Sequence, residues 1–185
     1  MRIKKPPTLA YTLLTRETHA SLYDRLSRLV EQFHPELRDA TIALAWCTSW
    51  KPDVDGYCPL GKCKRASDLD RELAPFDFVI LLLESFWTSL GVTDEQRDAL
   101  LDHELCHATV KLDRRTGDPV IDARGRTVYR LRKHDIEEFA CIAERHGMWK
   151  RNLELFAQAM RRHTGQAALP LDEPTRLEVT MRSTH

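Results

Sequence analysis

Five consecutive residues, His103-Glu104-Leu105-Cys106-His107, constrain this chain more than any other stretch. Two imidazoles four positions apart project from one side of a helix that turns every 3.6 residues, so a single ion can take a nitrogen from each. The carboxylate between them lies outside the ligand pair and can act as general base on water beside that ion. This chemistry requires a helix, and the flanking residues supply one. Thr93 is an expected N-cap with Gln96 at the capping-box position, and Asp94 and Glu95 suit the positive end of the helix dipole. From Asp94 to about Thr109 there is no Gly or Pro, while Ala99, Leu100, His103, Cys106, His107 and Val110 follow a three-four rhythm. That rhythm predicts that both histidines face inward, where a cation or a dense hydrogen-bond network would have to satisfy them. Backbone carbonyls are the plainer partners for histidines so placed.

A catalytic zinc site normally takes three protein ligands and keeps a position for water, so a third donor has to come from elsewhere. The strongest candidate is His134, in the run from Arg130 to Phe139, at the start of a helix expected to extend to about His146. Glu138 is the runner-up ligand. With His134 bound, Glu138 would share its helix face and could fix the tautomer of a ligand imidazole. A capping or surface role is the alternative for His134, and solvation the alternative for Glu137 and Glu138. Between the two helices, Lys111 to Tyr129 carries turn signals at Thr116-Gly117-Asp118-Pro119 and Asp122-Ala123-Arg124-Gly125, which suggest a short irregular hairpin. Its arginines could offer a basic rim to carboxylates or phosphates, or be solvated as in any loop.

The run from Leu100 to His107, followed by Arg132-Lys133-His134-Asp135-Ile136-Glu137-Glu138-Phe139 and by Glu144 to Trp149, resembles the phage metallopeptidase family of phages and prophages. Gly61 to Ala66 and Asp77 to Ile80 also resemble that family, so the similarity extends from roughly Thr41 to Trp149. More distantly, the chain is similar to SprT-like zinc proteases, in which a third histidine shortly precedes a phenylalanine on the next helix, as His134 precedes Phe139 here. The resemblance implies Zn2+ as cofactor, His103, His107 and His134 as its ligands, and Glu104 as the catalytic residue. Several SprT-like proteins carry a C-terminal zinc ribbon. No paired CxxC element follows His134 here, which counts against carrying their DNA-linked roles across.

The rest of the sequence bounds the fold. Its 185 residues, 42% of them hydrophobic and 30% charged, suit one soluble domain with a sizeable core, expected over 1–169, with a loosely held tail over 170–185. Helices are expected at about Thr18 to Phe33 and Asn152 to His163, and strands at Thr41 to Cys47 and Phe76 to Leu83. The last is a nearly continuous apolar run, short enough for a buried strand and far too short to span a membrane. A loop with Cys58 and Cys63 separates the strands. The order is α+β, a compact zincin-like domain with metal-binding helices against a small mixed or antiparallel sheet. The basic N-terminus lacks the apolar segment of a secretory signal, which points to the cytoplasm, where the five cysteines would be reduced. Cys47, Cys58 and Cys63 lack the tight paired spacing of a zinc knuckle, and Cys106 and Cys141 suit small apolar positions on their helices.

These features predict a zinc-dependent hydrolase of peptide bonds, acting on a peptide or protein through a metal-activated water with Glu104 as general base. Tyr129, His146 and the arginines of the insertion are open candidates for an oxyanion donor. Two other functions are consistent with the sequence. The ion could staple the helices of a phage accessory or interaction protein, with Glu138 as fourth ligand. A nucleic-acid-associated protease is the other; the formal net charge of zero opposes a generally nucleic-acid-binding surface and leaves room only for a local patch.

Overall fold

Two apolar runs, Ile42–Cys47 (β2) and Phe78–Leu83 (β4), pair in parallel at the centre of a four-stranded mixed sheet in a computed structural model that describes residues 10–137, 140–148 and 151–163. Both strands are buried along nearly their whole length, which is why they read as continuous hydrophobic stretches. Tyr11–Leu13 (β1) lies antiparallel to β2 at one edge, and Gly61–Arg65 (β3) lies antiparallel to β4 at the other.

The sequence places β3 in a loop, and the structure corrects this. Gly-Lys-Cys-Lys-Arg has no apolar alternation because only Cys63 turns toward the core, while both lysines and Arg65 are exposed. Asp68–Leu73 (α2), also not anticipated, follows at once. Its start is marked by Ser67, whose hydroxyl accepts from the Asp70 N–H at 3.1 Å while Asp70 accepts from the Ser67 N–H at 2.8 Å.

One face of the sheet is covered by helices. Ala20–Phe33 (α1) presents Leu22, Leu26, Leu29 and Val30, and Asp94–His107 (α4) presents Leu101 and Leu105. These meet Leu44, Trp46, Phe78, Ile80 and Leu82 in a single core. A short helix, Glu84–Trp87 (α3), links β4 to the loop before α4. Asp77 fixes the entry into β4. Its carboxylate accepts from the Thr41 N–H at 2.8 Å and pairs with the Arg71 guanidinium at 2.7 Å, both side chains being 11% exposed.

After α4 the chain forms a two-stranded hairpin, Ala108–Val110 (β5) with Tyr129–Leu131 (β6), extended by bridges at Leu112 with Pro119 and Ile121 with Thr127. The irregular hairpin expected over 111–129 is therefore present. Two of its arginines are neutralised by carboxylates and do not contribute to an open basic rim. Arg126 pairs with Asp122 at 2.8 Å and with Glu72 at 3.3 Å, and Arg124 also pairs with Glu72. Tyr129 is buried against Phe78, with ring centroids 5.2 Å apart, so it is a core residue.

The chain divides into two compact units, Met1–Lys133 and His134–His185. The second contains Ala140–His146 (α5) and Arg151–His163 (α6). The helix expected to start at His134 is not formed at residues 134–137; just before them the chain still continues the hairpin, the Arg132 N–H donating to the His107 carbonyl at 2.8 Å. Glu138 and the tail over 170–185 lie outside the described residues. No helix among the described residues is long and apolar enough to cross a membrane.

Candidate metal centre

The helix carrying the pentapeptide starts as its sequence dictates. Thr93 caps α4 through its hydroxyl, which accepts from the Gln96 N–H at 3.3 Å, while the Gln96 side chain accepts from the Thr93 N–H at 2.9 Å. Which face of α4 is buried differs from the sequence expectation. The core takes Leu101, Glu104, Leu105 and then Ala108, whereas His103 and Cys106 are exposed and His107 is half-buried. The adjacent leucines pull the helix round so that their stripe meets α1 and the sheet. The histidines are left at an accessible margin, and the carboxylate is the buried polar group.

His103 and His107 stand one turn apart with ring centroids 5.1 Å apart, and each offers a ligand atom within 4.8 Å of the other's. His107 Nδ1 lies 2.8 Å from the Arg132 carbonyl oxygen. A carbonyl can only accept, so Nδ1 carries the proton, and in the neutral ring Nε2 keeps its lone pair for a metal. The donor set fits a metal ion: two imidazoles at helical spacing, one of them oriented by a hydrogen bond to a backbone oxygen.

Glu104 is 3% exposed. Burial pushes its carboxyl above the ordinary glutamate range, opposed by the nearby His107 ring and by a hydrogen bond from the Cys63 N–H. The strand register makes that N–H available. The Leu60 carbonyl accepts from the Leu83 N–H, and the Ala66 N–H donates to the Asp77 carbonyl, both at 2.8 Å. By the alternation of an antiparallel ladder, the even positions of β3 bond to β4, and Cys63 turns its N–H outward to α4.

Gly61 makes the approach sterically feasible. A Cβ at this position would sit 2.8 Å from Cδ and 2.9 Å from Cγ of Glu104, closer than nonbonded carbons approach, so only glycine lets the side chain lie across the strand. Neither this contact nor the outward N–H follows from propensity or periodicity. The available signal was Gly61 itself, a glycine opening a run that resembles the metallopeptidase family.

His103, Glu104 and His107 thus share one helix of the first unit, and His134 is the first residue of the second, exposed and outside any helix. Cys47, Cys58 and Cys63 do not form a common cluster. Cys63 lies opposite Ile80 on the helix-covered face, and Cys47 lies opposite Leu83 on the other. Among the described residues, the groups able to hold an ion include none of the three. The family described as putative phage metallopeptidase matches residues 15–160. No curated protein and no solved structure matches the chain.

Proposed function

Because the chain belongs to the putative phage metallopeptidase family, we propose that it is a zinc-dependent peptide-bond hydrolase in which His103, His107 and His134 hold the ion and Glu104 is the general base. The observation carrying this reading is the arrangement around Glu104: a buried carboxylate under Gly61, on the same helical turn as two imidazoles one of whose tautomers is fixed. For His134 the support is covalent reach. Arg132 is hydrogen-bonded to His107 through both its N–H and its carbonyl. His134 follows two residues later, and two trans peptide links span at most about 7.6 Å between Cα atoms.

A zinc ion held by these imidazoles supplies a Lewis acid that polarises the scissile carbonyl and makes an adjacent water more acidic. Glu104 takes the proton from that water as its oxygen forms a bond to the carbonyl carbon. The same carboxyl returns the proton to the amide nitrogen as the carbon–nitrogen bond breaks. Burial suits Glu104 to both steps, because a carboxylate stripped of water is a stronger base than an exposed one. The Cys63 N–H and the absent Cβ of Gly61 hold it in one place. The Arg132 carbonyl keeps the His107 ring oriented with Nε2 outward. The substrate in this reading is a peptide or protein.

The test is metal analysis paired with peptide hydrolysis. Zinc-loaded protein is expected to cleave an unstructured protein substrate, chelation to abolish cleavage, and added zinc to restore it. His134→Ala is expected to lower zinc content, and unchanged stoichiometry in that variant would reject His134 as a ligand. Zinc-loaded wild type with no hydrolytic activity would leave the ion structural and overturn the enzyme reading.

A further inference from the structure

We propose a second metal site in which His34, Asp102 and Cys106 bind a borderline-soft divalent cation such as Zn2+. His34 Nε2, an Asp102 carboxylate oxygen and the Cys106 sulfur all lie within 4.8 Å of one another. Two of the donors are held together by a hydrogen bond that a cation would replace, with His34 Nε2 2.6 Å from Asp102 Oδ1. His34 is 6% exposed and sits where α1 ends, its N–H donating to the Val30 carbonyl and Pro35 following. Its ring is therefore positioned by a helix terminus.

The charge pattern along α4 points the same way. Asp94, Asp98, Asp102 and Cys106 recur every four residues and so form one stripe. The first two carboxylates meet arginines: Arg25 pairs with Asp94 at 3.0 Å and also with Asp98, and Arg28 pairs with Asp98 at 2.7 Å. Among the described residues, the ion-pair partner of Asp102 is His34 alone. The stripe continues, but its row of protein cations stops where a nitrogen, an oxygen and a sulfur converge.

Zinc bonds of about 2.0–2.3 Å place tetrahedral ligand atoms roughly 3.5 Å apart. The Cys106 sulfur has to close on the other two donors by about an ångström, within reach of a rotamer change at this exposed residue, while the His34–Asp102 pair opens from its hydrogen-bond distance by somewhat less. Thiolate and imidazole favour zinc over magnesium or calcium, and three protein donors leave a position for water. On binding, the thiol proton passes to solvent as the sulfur–metal bond forms, and the hydrogen bond from His34 Nε2 to Asp102 gives way to two metal bonds as His34 shifts to its Nδ1–H tautomer and frees the Nε2 lone pair. The ion would clamp the end of α1 to α4. This site shares no donor with the pair His103 and His107.

The experiment uses full-length protein stripped by chelation and titrated with Co2+, whose coordination by a thiolate gives a near-ultraviolet charge-transfer band that an all-histidine site cannot produce. Wild type is expected to show that band and to bind a second equivalent of cobalt. Cys106→Ser should abolish the band while the visible absorption of the other site remains, and Asp102→Asn should weaken it about tenfold in apparent affinity. The band should persist in His103→Ala/His107→Ala, which separates this site from the one proposed for hydrolysis. No band in wild type, a band surviving Cys106→Ser, or a band lost with His103 and His107 would each overturn the proposal.

Discussion

The two ends of α4 handle charge in opposite ways. At the N-terminal end, Asp94 and Asp98 are matched by Arg25, Arg28 and Arg97, and the ion pairs fasten α4 to α1. At the C-terminal end, Asp102 and Glu104 have neither lysine nor arginine as ion-pair partner among the described residues, although Glu104 is the more buried of the two. Where the helix serves as scaffold, protein cations neutralise its carboxylates. Where it carries metal-type donors, the carboxylates are kept clear of arginine and are held by a histidine and a backbone N–H. An arginine beside Glu104 would lower its basicity and compete with any metal cation for the carboxylate.

The sharpest way to break this contrast lies at the reactive end. Glu104→Gln keeps the shape and removes the base, so peptide hydrolysis should fall roughly a thousandfold while bound zinc is retained. Activity near wild type would remove Glu104 from the reaction. Gly61→Ala should be the next largest effect. The added methyl displaces the carboxylate without touching a metal ligand, with an expected loss of about tenfold to a hundredfold in kcat and an unchanged circular dichroism spectrum. At the scaffold, Asp77→Ala removes one partner of a buried ion pair. It should destabilise the protein by about 3 kcal/mol, read from urea unfolding, whether or not zinc is present.

A smaller effect is expected at Asp98. Burial pushes its carboxyl up, but hydrogen bonds from Arg28 and Arg25 outweigh this and hold it below the ordinary aspartate value. Its contribution is therefore full above about pH 3.9 and is lost as pH falls through the lowered folded-state value. Asp98→Ala should cost about 1 kcal/mol at neutral pH. A pH-independent difference between variant and wild type in urea midpoint would contradict the pairing. The smallest effect is chemical. The Cys63 thiol is pushed up to about 12, chiefly by burial and further by Glu104, so it should resist alkylation at pH 8 in folded protein. Rapid modification of Cys63, detected by mass spectrometry, would show that β3 opens.

Elements with strong local signals were legible in the sequence. The capping box at Thr93 and Gln96 fixed the start of α4, and the apolar runs gave β2 and β4 to within two residues. The spacing of His103, Glu104 and His107 carried the expected chemistry, and the resemblance added His134 to it. The orientation of α4 was not legible, because Ala99, Leu100, His103 and His107 form as regular a stripe as Leu101 and Leu105, and only the sheet beneath decides between them. The edge strand β3 was hidden for a related reason. Its lysines face solvent and its one inward residue is Cys63, so periodicity had nothing to detect. The absence of helix at residues 134–137 was not legible either, because the chain before them is engaged in a pairing between His107 and Arg132, 25 residues apart in sequence.

The hydrogen bond from Cys63 to Glu104 has a consequence for solubility. β3 is an outer strand whose free side would otherwise offer a ladder of donors to any extended chain it met, the usual route to intermolecular sheet growth. Glu104 occupies the central donor of that ladder and the two lysines add repelling charge, two features that disfavour the addition of a further strand at this edge.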